Sequence, residues 1–145
     1  MTTQEAKEYL SQIYAIRQRI KRLEQLRSEI RAEMFAIGSP SNINPDKVQT
    51  SLSTDDRTLN LIDKATRYDK DIRSEQDKLL TQLRKIQKQI EKVHGERYKK
   101  ILFMRYVECL KWELIAAHFN VDLRWIFRLH GNALDEFAKT FSYDH

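Results

Sequence analysis

The sequence predicts an all-α protein in which a long antiparallel coiled-coil hairpin is followed by a small helix-turn-helix domain. Two long stretches carry apolar residues in alternating steps of three and four, which is typical of helices that pack along one seam. Glycine (3) and proline (2) are scarce, and charged residues make up 32% of the chain, a composition that favours long helices. Beyond residue 95 the pattern changes and aromatic residues become more frequent. We therefore divide the chain into a helical hairpin over residues 1–95 and a C-terminal domain over residues 96–145.

The first helix of the hairpin is predicted over residues 4–37. Its apolar seam is interrupted only by Arg27, and at about 1.5 Å per residue the helix would be on the order of 50 Å long. Gly38 and Pro40 favour a stop, because glycine suits the end of a helix and proline cannot continue it. The seam comprises Ala6, Tyr9, Ile13, Ile16, Ile20, Leu23, Arg27, Ile30, Met34 and Ile37.

A polar stretch from about 38 to 56 predicts a loop at the tip of the hairpin, with one helical turn possible over 45–52. The second helix is predicted from about Asp56 to His94. Residues 54–56 offer oxygens for its N-cap, and Gly95 favours its end. Its seam comprises Ile62, Ala65, Asp69, Ile72, Gln76, Leu79, Leu83, Ile86, Ile90 and Val93.

Each seam contains a single charged residue. Folding the chain about residue 48 brings Arg27 near Asp69, which predicts either an ion pair that fixes the register or two charges that turn out to solvent. Two helices alone hold little core, so their seam is expected to pack on a second copy of the chain or on the C-terminal domain. Of the two, we favour a homodimer with a four-helix bundle. The residues expected to form the hairpin or dimer seam are Ile13, Ile16, Ile20, Leu23, Ile30, Leu79, Leu83, Ile86 and Ile90.

The C-terminal domain is predicted to contain a helix, a tight turn and a recognition helix. A helix over Glu96–Val107 precedes a short helix over Trp112–Phe119, a turn over 120–122 and a last helix from Leu123 to about Ala138. Asn120 tolerates the left-handed backbone of such a turn, and the Asp122 side chain can cap the last helix. The side chains expected to face inward in the last helix are Leu123, Ile126, Leu129 or His130, Ala133, Leu134 and Phe137.

Arginine and aromatic side chains are expected on the outer face of the recognition helix. Arginine contacts guanine edges or phosphates, and aromatic rings pack on sugars or thymine methyl groups. Trp125 and Phe127 remain open to two other interpretations, as core residues of a rotated helix or as contacts to a protein partner. The predicted DNA-binding residues are Arg124, Trp125, Phe127, Arg128, Asn132 and Lys111.

The densest basic stretch lies between the two predicted domains. The formal net charge of the chain is +5, which is compatible with a nucleic-acid partner. The basic stretch either lines the DNA backbone or forms an ordinary solvated helix face. Its predicted phosphate-contacting residues are Arg84, Lys88, Lys92, Arg97, Lys99 and Lys100.

Residues 98–138 resemble region 4 of bacterial sigma factors without a gap. The resemblance rests on Leu-x-x-Arg-Tyr at 102–106, Trp-Glu-x-Ile-Ala at 112–116, and Val121 at the turn. The whole chain is similar to small phage and prophage proteins of low-GC Gram-positive bacteria, through Ala6-Lys-Glu-Tyr-Leu-Ser-Gln-Ile and Leu123-Arg-Trp-Ile-Phe-Arg-Leu-His-Gly-Asn-Ala-Leu. This resemblance implies a regulator of phage transcription with a sigma-region-4-like helix-turn-helix, related to the ArpU and RinA groups of late-gene activators.

Trp125 and Phe127 depart from sigma region 4, in which small or polar residues face DNA. The resemblance therefore does not imply recognition of the usual promoter element. The expected partner is double-stranded DNA. The alternative is a protein-interaction module that binds RNA polymerase or another phage or host regulator through the coiled coil and an exposed aromatic patch.

The sequence contains no recognisable catalytic or metal-binding motif. The three glycines are scattered, so no phosphate-cradling loop is expected, and no nucleophile or zinc-protease pattern occurs. Cys109 is the only cysteine, and His118 and His130 are too far apart for a short metal motif. We expect no enzyme activity, no metal and no cofactor. Neither a signal peptide nor a membrane span is expected, so a cytoplasmic protein is predicted.

Overall fold

The structure is a computed structural model, and it describes residues 1–37 and 51–142, with side chains except at 51–55. These residues are helical and contain no strand, which confirms the all-α prediction. The predicted stop at Gly38 and Pro40 lies outside the described residues, as does most of the predicted loop. The helices are α1 (Thr3–Leu10), α2 (Gln12–Ile37), α3 (Ser51–Glu91), α4 (Glu96–Leu102), α5 (Trp112–Phe119) and α6 (Leu123–Thr140), with a π-helical turn over Phe103–Val107.

The first predicted helix is divided at Ser11. The Ser11 hydroxyl donates a hydrogen bond to the Lys7 carbonyl at 2.6 Å, and the Ser11 backbone N–H donates to the same carbonyl at 3.0 Å. A serine hydroxyl that competes for a carbonyl one turn earlier bends or interrupts a helix. The break therefore follows from local hydrogen bonding, which the heptad pattern alone did not indicate.

Both predicted ends of the second helix were wrong. Helix α3 begins at Ser51, so residues 54–56 lie inside it rather than at its N-cap. It ends at Glu91, and Gly95 is the N-cap of α4 instead of the end of α3. Gly95 has a φ of 106°, and a Cβ there would lie 2.9 Å from the Tyr98 ring. Glycine is needed at this position to begin a helix rather than to end one.

The chain forms two compact units, one of residues 1–17 and 78–142 and the other of residues 18–77. The boundary drawn at residue 95 from the sequence falls inside the first unit. That unit combines the first seventeen residues with the whole C-terminal domain. The N-terminal residues therefore belong to the same compact body as α5 and α6.

The core of the first unit joins α1 and the end of α3 to the C-terminal helices. Leu10 and Ile13 are fully buried in this core together with Ile101 and Phe137. The Tyr9 ring stacks on Phe137 with centroids 6.1 Å apart, and the Tyr9 hydroxyl donates to the Gln89 side chain at 2.5 Å. The N-terminal helix thus completes the core beneath α6.

In the second unit, α2 and α3 run antiparallel. Arg19 Nε lies 3.1 Å from Glu75 Oε2, and Arg27 Nη1 lies 2.9 Å from Asp69 Oδ1. Residue numbers therefore rise along α2 where those of the facing α3 residues fall, which is the register of antiparallel helices. The Arg27–Asp69 pair predicted from the sequence is confirmed, and the hydrogen bond from Arg27 lowers the pKa of the Asp69 carboxyl.

The seam predicted for α3 was wrong at two positions. Leu61 is buried, whereas the neighbouring Ile62 is 44% exposed. Glu75 is half-buried and pairs with Arg19, whereas Gln76 is exposed. A charged side chain that has an opposite charge across the helices can lie nearer the seam than a neutral amide, which a count of apolar residues does not foresee.

Candidate nucleic-acid interface

The turn between α5 and α6 is built by three consecutive residues. Asn120 has a left-handed backbone with φ 55° and ψ 42°. Its N–H donates to the Ala117 carbonyl at 3.2 Å, and the Val121 N–H donates to the Ala116 carbonyl at 3.1 Å, which is the Schellman arrangement. The predicted left-handed turn is confirmed at Asn120.

Helix α6 is capped by Asp122. Its Oδ1 accepts a hydrogen bond from the Trp125 backbone N–H at 2.8 Å, which satisfies one of the free donors at the start of a helix. The predicted cap is thereby confirmed. Together the turn and the cap fix the direction in which α6 leaves α5.

The inner face of α6 is well defined. Ile126, Ala133 and Phe137 are fully buried, and Leu129 and His130 are both buried rather than one or the other. Leu123 was predicted to face inward but is 39% exposed. Leu123 is the first residue of α6. A helical period is a poor guide to burial at the end of a helix, so it overestimated the burial of this side chain.

The outer face of α6 carries the predicted DNA-binding residues. Arg124, Arg128 and Asn132 are exposed, and Trp125 and Phe127 are 43% and 49% exposed. The interpretation of the two aromatic residues as core is therefore wrong. In the described part of the chain no carboxylate forms an ion pair with Arg124 or Arg128. The first two turns of α6 thus present two arginines without an ion pair beside exposed rings.

Three of these residues share one depression. Arg124, Trp125 and Arg128 line a shallow hollow of about 330 Å³ together with Val121 and Asp122. The Arg128 guanidinium lies 5.6 Å from the centre of the Trp125 ring, within range of a cation–π contact. The contact places the guanidinium over the ring on the exposed face of α6.

Phe127 and Lys111 do not line the hollow around Arg124. Both line a second cavity, in which the Phe127 ring meets Trp112 edge-on with centroids 5.5 Å apart. Lys111 is exposed and forms the N-cap position of α5 without a side-chain cap bond. The sequence-predicted interface therefore falls into two groups, one around Arg124 and one around Trp112.

Of the six residues predicted to contact phosphate in the basic stretch, one is half-buried and paired with a carboxylate, and five are exposed. Arg84, Lys88, Lys92, Arg97 and Lys100 are exposed. Lys99 is half-buried, and its Nζ lies 3.2 Å from Glu96 Oε1. A groove that includes Lys99 and Lys100 is also lined by Glu91, Glu96 and Glu108. The nearby carboxylates weaken the positive potential at these two lysines, so Arg84, Lys88, Lys92 and Arg97 are the stronger candidates for phosphate contact.

The Leu-x-x-Arg-Tyr segment serves the core rather than the outer surface. Leu102 is fully buried. The Arg105 guanidinium donates to the Leu110 carbonyl at 2.9 Å and lies 4.4 Å from the centre of the Trp112 ring. The Tyr106 hydroxyl lies 2.5 Å from Nε2 of His130. These residues hold α4, α5 and α6 together.

The connection between α4 and α5 is tightly wound. The Glu108 N–H donates to the Phe103 carbonyl, five residues earlier, and the Leu110 N–H donates to the Met104 carbonyl, both at 3.0 Å. Cys109 follows with a φ of 57°, and burial raises the pKa of its thiol. The cysteine occupies the bend between the helices.

No family model matches the chain, and no curated protein or solved structure matches it either. Within residues 1–37 and 51–142, no helix is long and apolar enough to cross a membrane. Over the same residues, no group of three or more His, Cys, Asp or Glu side chains is arranged to hold a metal ion.

Proposed function

We propose that this protein binds double-stranded DNA with the outer face of α6 and acts as a phage-type transcription regulator with a sigma-region-4-like helix-turn-helix. The observation that carries the proposal is the unpaired, exposed Arg124 and Arg128 at the start of a helix that a Schellman turn and an aspartate cap hold in place. Helix-turn-helix proteins contact base edges with the first turns of the second helix. Arginine is the side chain that most often makes such contacts, through guanine O6 and N7.

The two aromatic side chains have separate roles in this proposal. Trp125 lies beneath Arg128 and limits the directions that the guanidinium can take. The Phe127 ring leans on Trp112 of α5 while about half of it stays exposed. An exposed ring at this position suits van der Waals contact with a sugar or a thymine methyl group. Asp135 marks the far end of the surface, since its exposed carboxylate would repel phosphate.

Binding is tested with duplexes from the chain's own genomic neighbourhood and with shuffled duplexes, by fluorescence anisotropy at two salt concentrations. We expect one fragment to bind more tightly than its shuffled version, with an affinity that falls steeply as salt rises. The Arg124→Ala, Arg128→Ala variant should raise Kd by about a hundredfold, since each good base contact contributes about 1–3 kcal/mol.

The matched control is Arg22→Ala, Arg57→Ala, which removes two exposed arginines from the other compact unit. It should leave Kd near the wild-type value. Equal losses in both variants would mean that only total charge matters. A folded protein that binds no duplex at low salt would contradict the proposal and favour protein docking through Leu123, Trp125 and Phe127, which are all partly exposed.

We also propose that the protein is a homodimer in which the coiled-coil hairpin pairs with a second copy. In the 18–77 unit, the buried apolar side chains among those described are Ile20, Leu61 and Ile72. Phe35 is 82% exposed and Leu59 is 62% exposed. A two-helix unit with so few buried side chains is marginal without further packing.

Analytical ultracentrifugation tests the dimer. The wild-type chain should sediment at twice the monomer mass, and Phe35→Ser, Leu59→Ser should shift it toward the monomer, because apolar side chains covered by a second copy would become polar. Leu114→Ser is the control, since Leu114 is 56% exposed in the other compact unit. A monomeric wild-type chain at micromolar concentration would contradict the proposed dimer.

A further inference from the structure

The first compact unit contains a cavity separate from the hollow around Arg124 and Trp125. Its volume is about 460 Å³, within the range of small-molecule sites. Lys7 of α1, Arg105 of the π-helical turn and Lys111 at the start of α5 all line it. Three different segments of the chain thus bring positive charge to one concave site.

The positive charge in this cavity is not balanced by any carboxylate that the structure describes. No Asp or Glu of residues 1–37 and 51–142 lines it. Among the described residues no carboxylate forms an ion pair with Lys7, Arg105 or Lys111. Concentrating like charges costs free energy unless something negative offsets them, and within a concave site the field is stronger than on an open surface.

The rest of the cavity is largely aromatic. Tyr14 and Phe127 line it and are 56% and 49% exposed, so their rings are free to contact an apolar body. Trp112 is already occupied, because the Arg105 guanidinium lies over its ring and the His130 ring meets it at 4.5 Å between centroids. Tyr106 and His130 are buried and close the base. Both the charge and the shape of the cavity are therefore complementary to one kind of ligand.

We propose that this cavity binds a small organic anion, a carboxylate or phosphate on a flat apolar body. The anionic group pairs with Lys7 and Lys111, and the body packs between Tyr14 and Phe127. A charge-assisted hydrogen bond is roughly twice as strong as a neutral one, so the lysines supply most of the specificity. The enclosed base formed by buried side chains suits a molecule that enters the cavity better than a duplex that lies across its rim.

The two tryptophans provide the test, because Trp112 lines the cavity and Trp125 does not. Each indole N–H gives its own peak in a proton–nitrogen correlation spectrum. Phenyl phosphate and phenylacetate should each shift the Trp112 peak in a saturable manner, with Kd in about the millimolar range for ligands of this size. The Trp125 peak should remain in place. Phenol and inorganic phosphate carry half of the ligand each and should bind at least about tenfold more weakly.

Charge-removing variants locate the site. Lys7→Gln and Lys111→Gln should each raise the Kd for phenyl phosphate by about tenfold, whereas Lys70→Gln, an exposed lysine of the other unit, should not change it. Two separate lysine variants guard against a folding defect in either one, and dispersed indole peaks show that each is folded.

Any one of four results would overturn the proposal. If inorganic phosphate binds as tightly as phenyl phosphate, the cavity holds an adventitious ion only. If neither aromatic anion moves the Trp112 peak, or if Lys70→Gln weakens binding as much as Lys7→Gln does, the cavity is not the site. If only duplex DNA moves the Trp112 peak, Lys7 and Lys111 contact the phosphate backbone of DNA rather than a small ligand. None of the small-ligand measurements depends on whether the protein binds DNA.

Discussion

Truncation of Leu10 to alanine should lower the free energy of unfolding of the first compact unit by about 2–5 kcal/mol, the usual cost of such a change in a core. Leu10 is fully buried and belongs to the same cluster as Ile101, Ile126 and Phe137. The loss arises from the apolar contacts removed and from the cavity left behind. The test is a urea titration followed by tryptophan fluorescence, because both tryptophans lie in this unit.

Leu80→Ala is the matched control, since it deletes the same atoms from an α3 side chain that is 50% exposed in the same unit. Its effect should stay within about 0.5 kcal/mol. If Leu10→Ala left the tryptophan transition unchanged, the N-terminal helix would not be part of the body that carries α6. The comparison therefore tests the assignment of residues 1–17 and not merely their burial.

That assignment is where sequence reasoning was least complete. A heptad pattern that runs from Ala6 to Ile37 is satisfied by one long helix that packs along one face. It says nothing about which partner covers which part of the face. Leu10 lies outside the seam and was not predicted to be buried, yet it is fully buried. An apolar residue beside the seam was the available signal that more than one helix packs on this segment.

The local features of the turn were predictable because their causes are local. Asn120 adopts the left-handed backbone and Asp122 caps α6, since each conformation depends on a side chain and its immediate neighbours. The pair between Arg27 and Asp69 was also predictable, because the antiparallel register follows from the loop position. By contrast, the contacts of Arg105 with Trp112 and of Tyr106 with His130 join residues whose distance along the chain gives no pattern to detect.

In the candidate site, too, the locally determined features were predictable and those that depend on packing between distant segments were not. Periodicity identified the outer face of α6, including Arg124 and Arg128, because a capped helix with one buried face exposes the opposite one. It did not identify the cavity, whose charges come from α1, the π-helical turn and the start of α5. A site assembled from several segments appears only when their packing is known.

The buried imidazole of His130 gives the molecule a specific dependence on pH. Burial, together with the nearby charges of Lys7 and Arg105, lowers its pKa to about 4. Its Nε2 lies 2.5 Å from the Tyr106 hydroxyl, whose pKa burial raises well above its ordinary value. We assign the hydroxyl as the donor and the neutral imidazole as the acceptor. Protonation at Nε2 would turn this acceptor into a second donor beside two cations.

The free energy of unfolding should therefore fall as pH decreases from about 6.5 to about 4. In this window the unfolded chain takes up a proton on His130 that the folded chain excludes, so acid favours unfolding. Above pH 6.5 both states are neutral at this residue and the effect is absent. Below about pH 4 both are protonated and the loss levels off, at a total on the order of 3 kcal/mol.

Urea titrations at pH 7, 5.5 and 4.5 test this dependence against the double variant Tyr106→Phe, His130→Leu. Replacing both partners removes the titrating group without leaving a buried hydroxyl unpaired, so the variant should fold and should lose less stability in acid than the wild type. Carboxylates contribute equally to both proteins and cancel in the difference. His118→Asn, at an exposed histidine, should retain the wild-type pH dependence. Identical acid sensitivity in wild type and double variant would mean that His130 takes up its proton in acid as readily in the folded state as in the unfolded one. The Tyr106 hydroxyl would then be the acceptor of the bond, and the charge at the base of the cavity would have to be counted with that of Lys7 and Arg105.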